Sequence, residues 1–266
     1  MRPREFFATH PVFTHAEFVS AHTAGGRSEH TSNSLLAKHL AAGRLVRVRR
    51  GIYATVPPGV DPREALPDPY LVATKLREDA AVAYHTALAF HGKAYSFWRR
   101  VQYMTAARVR AFVFRGLEFV GVQAPLPVRS LPDLGGCVLV RPHAGGTVRV
   151  TSLERCLVDL LHAPDHGGEW EEIWRSLEMV EFFDLKAVVE YTLRLRSALT
   201  TARVGFFLEQ HREEWMVEDR HLAQLLKNVP AQPRYLSPRR EPGKLITRWN
   251  LIVPEYVLER QWEEPR

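Results

Sequence analysis

Cysteine is nearly absent. Cys137 and Cys156 are the only two in 266 residues, too few for a disulfide framework or a zinc knuckle. Long apolar runs are missing as well, and no span approaches the roughly 20 apolar residues needed to cross a bilayer. The opening Met-Arg-Pro-Arg-Glu-Phe-Phe lacks the apolar stretch of a secretory signal. These absences make a reducing cytoplasm the expected location and a membrane partner unexpected. There is no internal repeat, no low-complexity tract, and no nucleophile elbow, phosphate loop or histidine–glutamate metalloprotease motif. Histidine is plentiful, at twelve residues, but its spacing does not build a metal site. Pro164 breaks the helix that would align His162 with His166, and His85 and His91 do not share a helical face. Neither a metal nor a cofactor is expected, and the chain reads as non-enzymatic.

What is present is an ordinary globular composition, with 45% apolar and 25% charged residues, and length enough for one small and one larger domain. The charge is unevenly spread. Between Met1 and Gly59 lie eight basic residues (Arg2, Arg4, Arg27, Lys38, Arg44, Arg47, Arg49, Arg50) against three acidic ones (Glu5, Glu17, Glu29). That gives a net +5 of the chain's +6. A basic excess confined to one small module is the electrostatic mark of phosphate contact.

The same module has a readable order of elements. Arg4 to Thr9 forms a short helix packed through Phe6 and Phe7. Thr14 and Glu17 have capping-box spacing and start a helix running to about Thr23, ended by Gly25-Gly26. A third helix starts at Thr31 or Ser32 as N-cap, with Leu35, Leu36 and Leu40 as its apolar face, Ala37 and Ala41 nearby, and Gly43 as its left-handed stop. Ser32, Asn33, Lys38 and His39 fall on the other face, where short polar groups can reach base edges and an Asn can pair bidentately with adenine. Then Val46 and Val48 alternate with Arg47 and Arg49 up to an Arg50-Gly51 turn, and Ile52, Ala54 and Val56 continue the buried face on the return strand. Each feature alone is common on solvated surfaces. Together, in this order and with this charge, they predict a winged helix-turn-helix over residues 1–60 that reads double-stranded DNA. The contact residues expected from this pattern are Thr31, Ser32, Asn33, Lys38, Arg44, Arg47, Arg49 and Arg50.

Pro57 to Pro69 is proline-rich and predicts a stiff linker over 61–68. Beyond it, residues 69–266 predict a mixed α/β domain, making the whole chain α+β. Helices are expected at Tyr70 to Arg77 and His85 to Phe90. Short strands follow at Val101 to Thr105, Phe112 to Phe114, Leu117 to Val122, Cys137 to Val140 and Val148 to Val150. A helix capped by Thr151 and Glu154 comes next, then helices at Glu169 to Val180, Leu185 to Ser197, Ala202 to Trp215 and Asp219 to Lys227. Leu245 to Val253 predicts a late strand returning to the sheet. Arg155 and Asp159, i and i+4 on one helix, read as a pair contributing a few tenths of a kcal/mol. Glu209 and His211 read as the polar edge of a packed helix. Arg239, Arg240 and Lys244 read as a solvated basic loop.

Several segments also carry a family resemblance: Leu45-Val46-Arg47-Val48-Arg49-Arg50-Gly51-Ile52-Tyr53, Tyr84-His85-Thr86-Ala87-Leu88-Ala89-Phe90-His91-Gly92, and Val150-Thr151-Ser152-Leu153-Glu154-Arg155-Cys156-Leu157-Val158-Asp159. Gly167-Gly168 and Val204-Gly205-Phe206-Phe207-Leu208-Glu209 follow in the same order. In these the chain resembles the AbiEi antitoxins of type IV toxin–antitoxin systems. The resemblance implies a transcriptional autorepressor whose winged helix binds inverted repeats in the promoter of its own operon. It also implies a C-terminal domain that supports cooperative self-association on DNA and counteracts a nucleotidyltransferase toxin without forming a stable complex with it.

Two other readings stay open. One is a winged-helix regulator whose C-terminal domain senses a small ligand. The other is a DNA-targeted metal-dependent nuclease using Glu181, Asp184 and Lys186, which lie at a helix junction rather than at the sheet edges such a site needs.

Overall fold

Chain contacts divide the protein, a computed structural model, into two units. The first comprises Met1–Val82, Arg99–Val122 and Leu139–Val150; the second comprises Ala83–Trp98, Gln123–Val138 and Thr151–Arg266. The structure describes residues 3–24, 26 and 28–263. Arg2, Gly25 and Arg27, used in the sequence reading, lie outside the described residues, as does the side chain of Arg4. The fold is mixed α+β, with eleven α-helices and three sheets among the described residues.

The first unit opens with α1 (Pro3–Thr9), β1 (Val12–Thr14), α2 (His15–Thr23), α3 (Glu29–Ala41), β2 (Leu45–Arg49) and β3 (Ile52–Thr55). The expected capping box starts α2: the Thr14 amide donates to Glu17 Oε2 at 2.7 Å, and the Glu17 amide donates to Thr14 Oγ1 at 3.2 Å. Phe6, Phe13, Phe18, Leu36, Leu45 and Tyr53 form the core, with Phe7, Leu35 and Leu40 packed against it. The rings of Phe6 meet those of Phe13 and Phe18 edge-on at 5.1 and 5.3 Å, the geometry that aromatic quadrupoles favour. Strand β1 was not expected from the sequence. It pairs antiparallel with β3 and makes the order β1-β3-β2.

The end of α3 is a Schellman stop: the Gly43 amide donates to the Leu40 carbonyl at 3.0 Å and the Arg44 amide to the His39 carbonyl at 3.1 Å. Gly43 holds φ +66°, and a Cβ there would meet Pro62 Cγ at 2.7 Å. Gly43→Ala is therefore expected to destabilise the first unit by about 1–3 kcal/mol. A melt followed by circular dichroism checks this, and an unchanged midpoint would mean that this helix end is wrongly described.

After Pro57 the first unit continues with α4 (Pro69–Lys75), capped by Asp68. The strands β4 (Ala81–Val82), β5 (Arg100–Thr105), β6 (Phe112–Phe114), β7 (Leu117–Gln123), β8 (Val138–His143) and β9 (Gly146–Thr151) build a six-stranded sheet in the order β6-β7-β5-β4-β9-β8. Strand β4 pairs antiparallel with β5 and parallel with β9. The 61–68 segment lies inside this unit, and the first sixty residues make contacts on its far side. Lys75 on α4 ion-pairs with Glu17 on α2, and the Arg49 guanidinium lies 4.9 Å over the Phe112 ring. Burial raises the Glu17 carboxyl, but the Lys75 ammonium and the Thr14 groups outweigh it and hold it below its ordinary value.

The second unit is largely helical: α5 (Tyr84–Phe90), α6 (Leu153–His162), α7 (Trp170–Glu178), α8 (Leu185–Arg194), α9 (Ala198–Gln210), α10 (Asp219–Leu226) and α11 (Glu255–Leu258). Helix α6 packs on α5, α8 and α9. Its N-cap is Ser152, whose hydroxyl accepts from the Arg155 amide. The expected capping box at Thr151 is therefore displaced by one residue, because Thr151 is still paired within β9. Helix α9 starts at Ala198, capped by Ser197, and ends at Gln210, both earlier than expected.

The late strand is corrected too. Leu245 to Val253 is broken by a 3-10 turn at Thr247–Trp249, followed by Asn250 in the left-handed region at φ +47°. The pieces β11 (Lys244–Ile246) and β12 (Leu251–Val253) form a separate small sheet with β10 (Arg234–Tyr235), in the order β10-β12-β11. The break turns Trp249 into the core, where its Nε1 donates to Glu209 Oε2 at 2.6 Å. Glu209 thus holds this turn against α9, while His211 is buried and bonded to Glu178 at 2.8 Å.

Arg155 and Asp159 depart furthest from expectation. Their side chains are 0% exposed and meet at 3.1 Å, so the exposed-pair magnitude does not apply. Asp159 also accepts from the Tyr191 hydroxyl at 2.9 Å. Arg155 donates to the carbonyls of Gly136 at 2.6 Å and Asp133 at 3.2 Å, while Arg194 donates to that of Gly135. These carbonyls belong to a run, Asp133 to Cys137, in which all five residues hold positive φ. Burial pushes the Asp159 carboxyl above the ordinary carboxylate range, against the opposing pull of Arg155 and Tyr191.

Candidate nucleic-acid interface

The N-cap of α3 is Ser28, three residues before the earliest cap expected; its hydroxyl accepts from the Thr31 amide at 3.1 Å. The helical period also puts two residues of the expected outer face inside, since Ser32 and His39 lie four residues before and three after the buried Leu36. Ser32 is buried, and its hydroxyl donates to the Ser28 carbonyl at 3.1 Å. Ser32 therefore packs the helix against its neighbours and offers nothing to a partner at the surface. His39 is buried as well, edge-on to Phe7 at 4.9 Å. The sequence reading had placed both on the outer face.

The outer face is instead His30, Asn33, Ser34, Ala37, Lys38 and Ala41, all exposed, at the i, i+3, i+4 spacing of one helical stripe. Thr31 is exposed but hydroxyl-bonded to Ser28 at 2.9 Å. Of the residues sequence reasoning missed, His30 follows once the helix is started at Ser28, and Ser34 and Ala37 follow from the i+4 and i+7 spacing of the same stripe. The Ser28-Glu29 pair carries that signal, a cap followed by a carboxylate at the positive end of the helix.

Asn33 is not isolated. Its Oδ1 lies 2.6 Å from His15 Nε2; an amide oxygen only accepts, so the imidazole donates from that nitrogen. The His15 backbone amide donates in turn to the Gly51 carbonyl at 2.8 Å. One residue at the start of α2 thereby touches both the outer face of α3 and the β2–β3 turn. Nothing in the sequence pattern pointed to it.

In the hairpin, Leu45, Val46 and Val48 are buried, and Arg47 and Arg49 are exposed. Ile52, Tyr53 and Ala54 are all buried, so both faces of β3 are covered, with Tyr53 on the face opposite to Ile52 and Ala54. The pairing shifts register between Arg47 and Arg49, and Gly51 holds φ +81°, so the turn is a bulged one that only glycine closes without strain. Arg44 and Arg50 are exposed at the two ends of this segment. Among the described residues Lys38, Arg44, Arg47 and Arg50 form no ion pair, whereas Arg49 is laid over Phe112. Four unneutralised cations and a stripe of short polar side chains can contact the phosphates and base edges of a nucleic acid.

The alternative nuclease residues do not converge. Glu181 ion-pairs with Lys93 at 2.6 Å, Asp184 caps α8 by accepting from the Ala187 amide at 3.1 Å, and Lys186 sits 3.9 Å from Glu190. Among the described residues no three His, Cys, Asp or Glu side chains are grouped to hold a metal ion, and no helix is long and apolar enough to cross a membrane. In the basic loop near the C-terminus, Arg239 pairs with Glu169 at 3.0 Å.

No family model matches the chain, and no curated protein does. Among solved structures it is similar to the RV2827C protein from Mycobacterium tuberculosis, with a TM-score of 0.55 at 18% identity. The likeness covers 98% of this chain and 93% of that one. It is a likeness of fold, and it extends over nearly the full length of both chains.

Proposed function

We propose that this protein is a winged-helix transcriptional repressor that binds duplex DNA through α3 and the β2–β3 hairpin. One observation carries the reading: the exposed stripe of α3 and the unpaired cations of the hairpin belong to one small module, in the helix–strand–helix–helix–hairpin order of a winged helix. In a winged helix that order would set a recognition helix for the major groove beside a basic wing for the flanking backbone. On the sequence resemblance we further propose that the protein is the antitoxin of a type IV pair. It would repress its own operon at inverted repeats with cooperative self-association, and oppose a nucleotidyltransferase toxin without binding it stably. No catalytic step and no cofactor is assigned.

The test of DNA binding is fluorescence anisotropy of the full chain on a duplex from its own upstream region and on a shuffled duplex, across a salt series. About five neutralised phosphates give a slope of log K against log salt near −4 to −5. Arg47→Ala and Arg50→Ala are each expected to weaken both duplexes and reduce the slope by about one. A flat salt dependence would remove the DNA assignment. The antitoxin half is tested by growth rescue of cells expressing the nucleotidyltransferase toxin that such a pair requires; a chain that represses its promoter but rescues nothing is a repressor only.

A further inference from the structure

We propose that the duplex-binding surface does not end at the wing but continues onto the β5–β6 loop, with Arg108 and Arg110 as additional phosphate contacts. This rests on the DNA-binding reading above and extends it beyond the first sixty residues.

The loop is pinned at three points within the first unit. At its start, Asp79 accepts from the Thr105 hydroxyl at 2.7 Å and from the Ala106 amide at 2.6 Å. In its middle, Val109 lies on Gly121 of β7 beside Tyr103, so closely that a Cβ at position 121 would collide with both. At its end, Phe112 stacks on Phe119 at 4.9 Å. With Val109 turned inward, its neighbours Arg108 and Arg110 are both exposed. A loop held this firmly loses little conformational freedom on binding, which favours its use as a contact surface.

Two observations join this loop to the wing. The Arg49 guanidinium of β2 lies 4.9 Å over Phe112, two residues after Arg110. Tyr103, which underlies Val109, is also within electrostatic reach of Arg49: burial lifts its phenol, while the Arg49 and Arg77 charges pull it down. Arg49 thus lies on Phe112 and within electrostatic reach of Tyr103, beside which Val109 packs, so the wing and the arginine-bearing loop are neighbours within the first unit. A partner that can match exposed guanidiniums on both segments is a regularly spaced polyanion. Duplex DNA supplies one phosphate per ~3.4 Å of each strand beyond the groove that α3 would enter. The charge ledger by sequence missed this because the remainder of the chain sums to nearly zero. The sum hides where the individual charges stand.

The experiment compares the full-length chain with Arg108→Ala/Arg110→Ala, with Arg47→Ala/Arg50→Ala, and with Arg239→Ala/Arg240→Ala from the second unit. Each is titrated on the upstream duplex and on the shuffled duplex over the same salt series, after a melt confirms folding. The proposal expects the loop pair to weaken both duplexes alike and to make the salt slope shallower by about two. The Arg239/Arg240 pair, which removes the same charge, should leave the slope unchanged. If the wing pair lowers the slope and the loop pair does not, the surface stops at the wing and this inference is overturned while DNA binding stands. An equal fall in the Arg239/Arg240 pair also overturns it, since net charge alone would then explain the effect. If the unmodified chain binds neither duplex, the DNA reading falls and this inference falls with it.

Discussion

Truncating Asp159 to alanine is expected to destabilise the second unit by about 3–5 kcal/mol, the cost of stranding one member of a buried ion pair. Arg155 would keep its charge inside the protein with no carboxylate opposite it, and the Tyr191 hydroxyl would lose its acceptor. The six tryptophans give a selective probe, because all of them belong to the second unit. Urea unfolding followed by tryptophan fluorescence should therefore show the loss directly. Replacing both partners, as Arg155→Met with Asp159→Leu, should cost much less than the single change, because no charge is then left unpaired. It should not reach zero. Arg155 also satisfies the carbonyls of Asp133 and Gly136 in a segment where five consecutive residues hold positive φ, and methionine donates nothing to them. The residual cost of the double variant measures how far the guanidinium holds that segment in place. An Asp159→Ala chain within about 1 kcal/mol of the parent would show that the pair is not buried as described.

This pair marks the limit of what the sequence made legible. The i, i+4 spacing identified the two residues, but their energetics depend on Asp133 to Cys137 and on Tyr191, which are distant in the chain. The same division runs through the whole fold. Thr14 and Glu17 were readable because a capping box is closed within four residues. Strand β1 was not, since its partner β3 lies about forty residues later and three residues carry little pattern of their own. The end of α3 was readable from Gly43, whose left-handed geometry is a property of one residue. Its start lies at Ser28 and not at Thr31 or Ser32, and Ser32 and His39, four residues before and three after the buried Leu36, face the core with it. In the hairpin the alternation of valine and arginine was enough to separate inside from outside, yet nothing local could show that Arg49 lies over Phe112. The proline-rich segment at 61–68 reads as a boundary on composition alone. The contacts of Glu17 with Lys75, and of Arg49 with Phe112, tie the residues on its two sides into one unit.

The DNA interface proposed for α3 makes a sharper demand. Asn33→Ala is expected to cost about 1–3 kcal/mol of affinity for the upstream operator and little on a shuffled duplex, since a bidentate amide discriminates between bases while phosphate contacts do not. The geometry adds a second residue to this prediction. His15 donates to Asn33 Oδ1 at 2.6 Å, which fixes which way the amide faces and leaves its NH2 group directed away from the imidazole. His15→Ala should therefore lower operator affinity without changing the salt slope. It keeps the backbone bond from residue 15 to the Gly51 carbonyl, which needs no side chain. Once Asn33 is already alanine, removing His15 should do little more. The measurement is a double-mutant cycle on operator and shuffled duplexes, with a coupling of about 0.5–3 kcal/mol expected for two groups in direct contact. Additive losses would mean that His15 contributes on its own account and does not position Asn33. Equal losses on both duplexes would mean that neither residue reads sequence, and the recognition surface would then have to be sought among His30, Ser34 and Lys38 on the same exposed stripe.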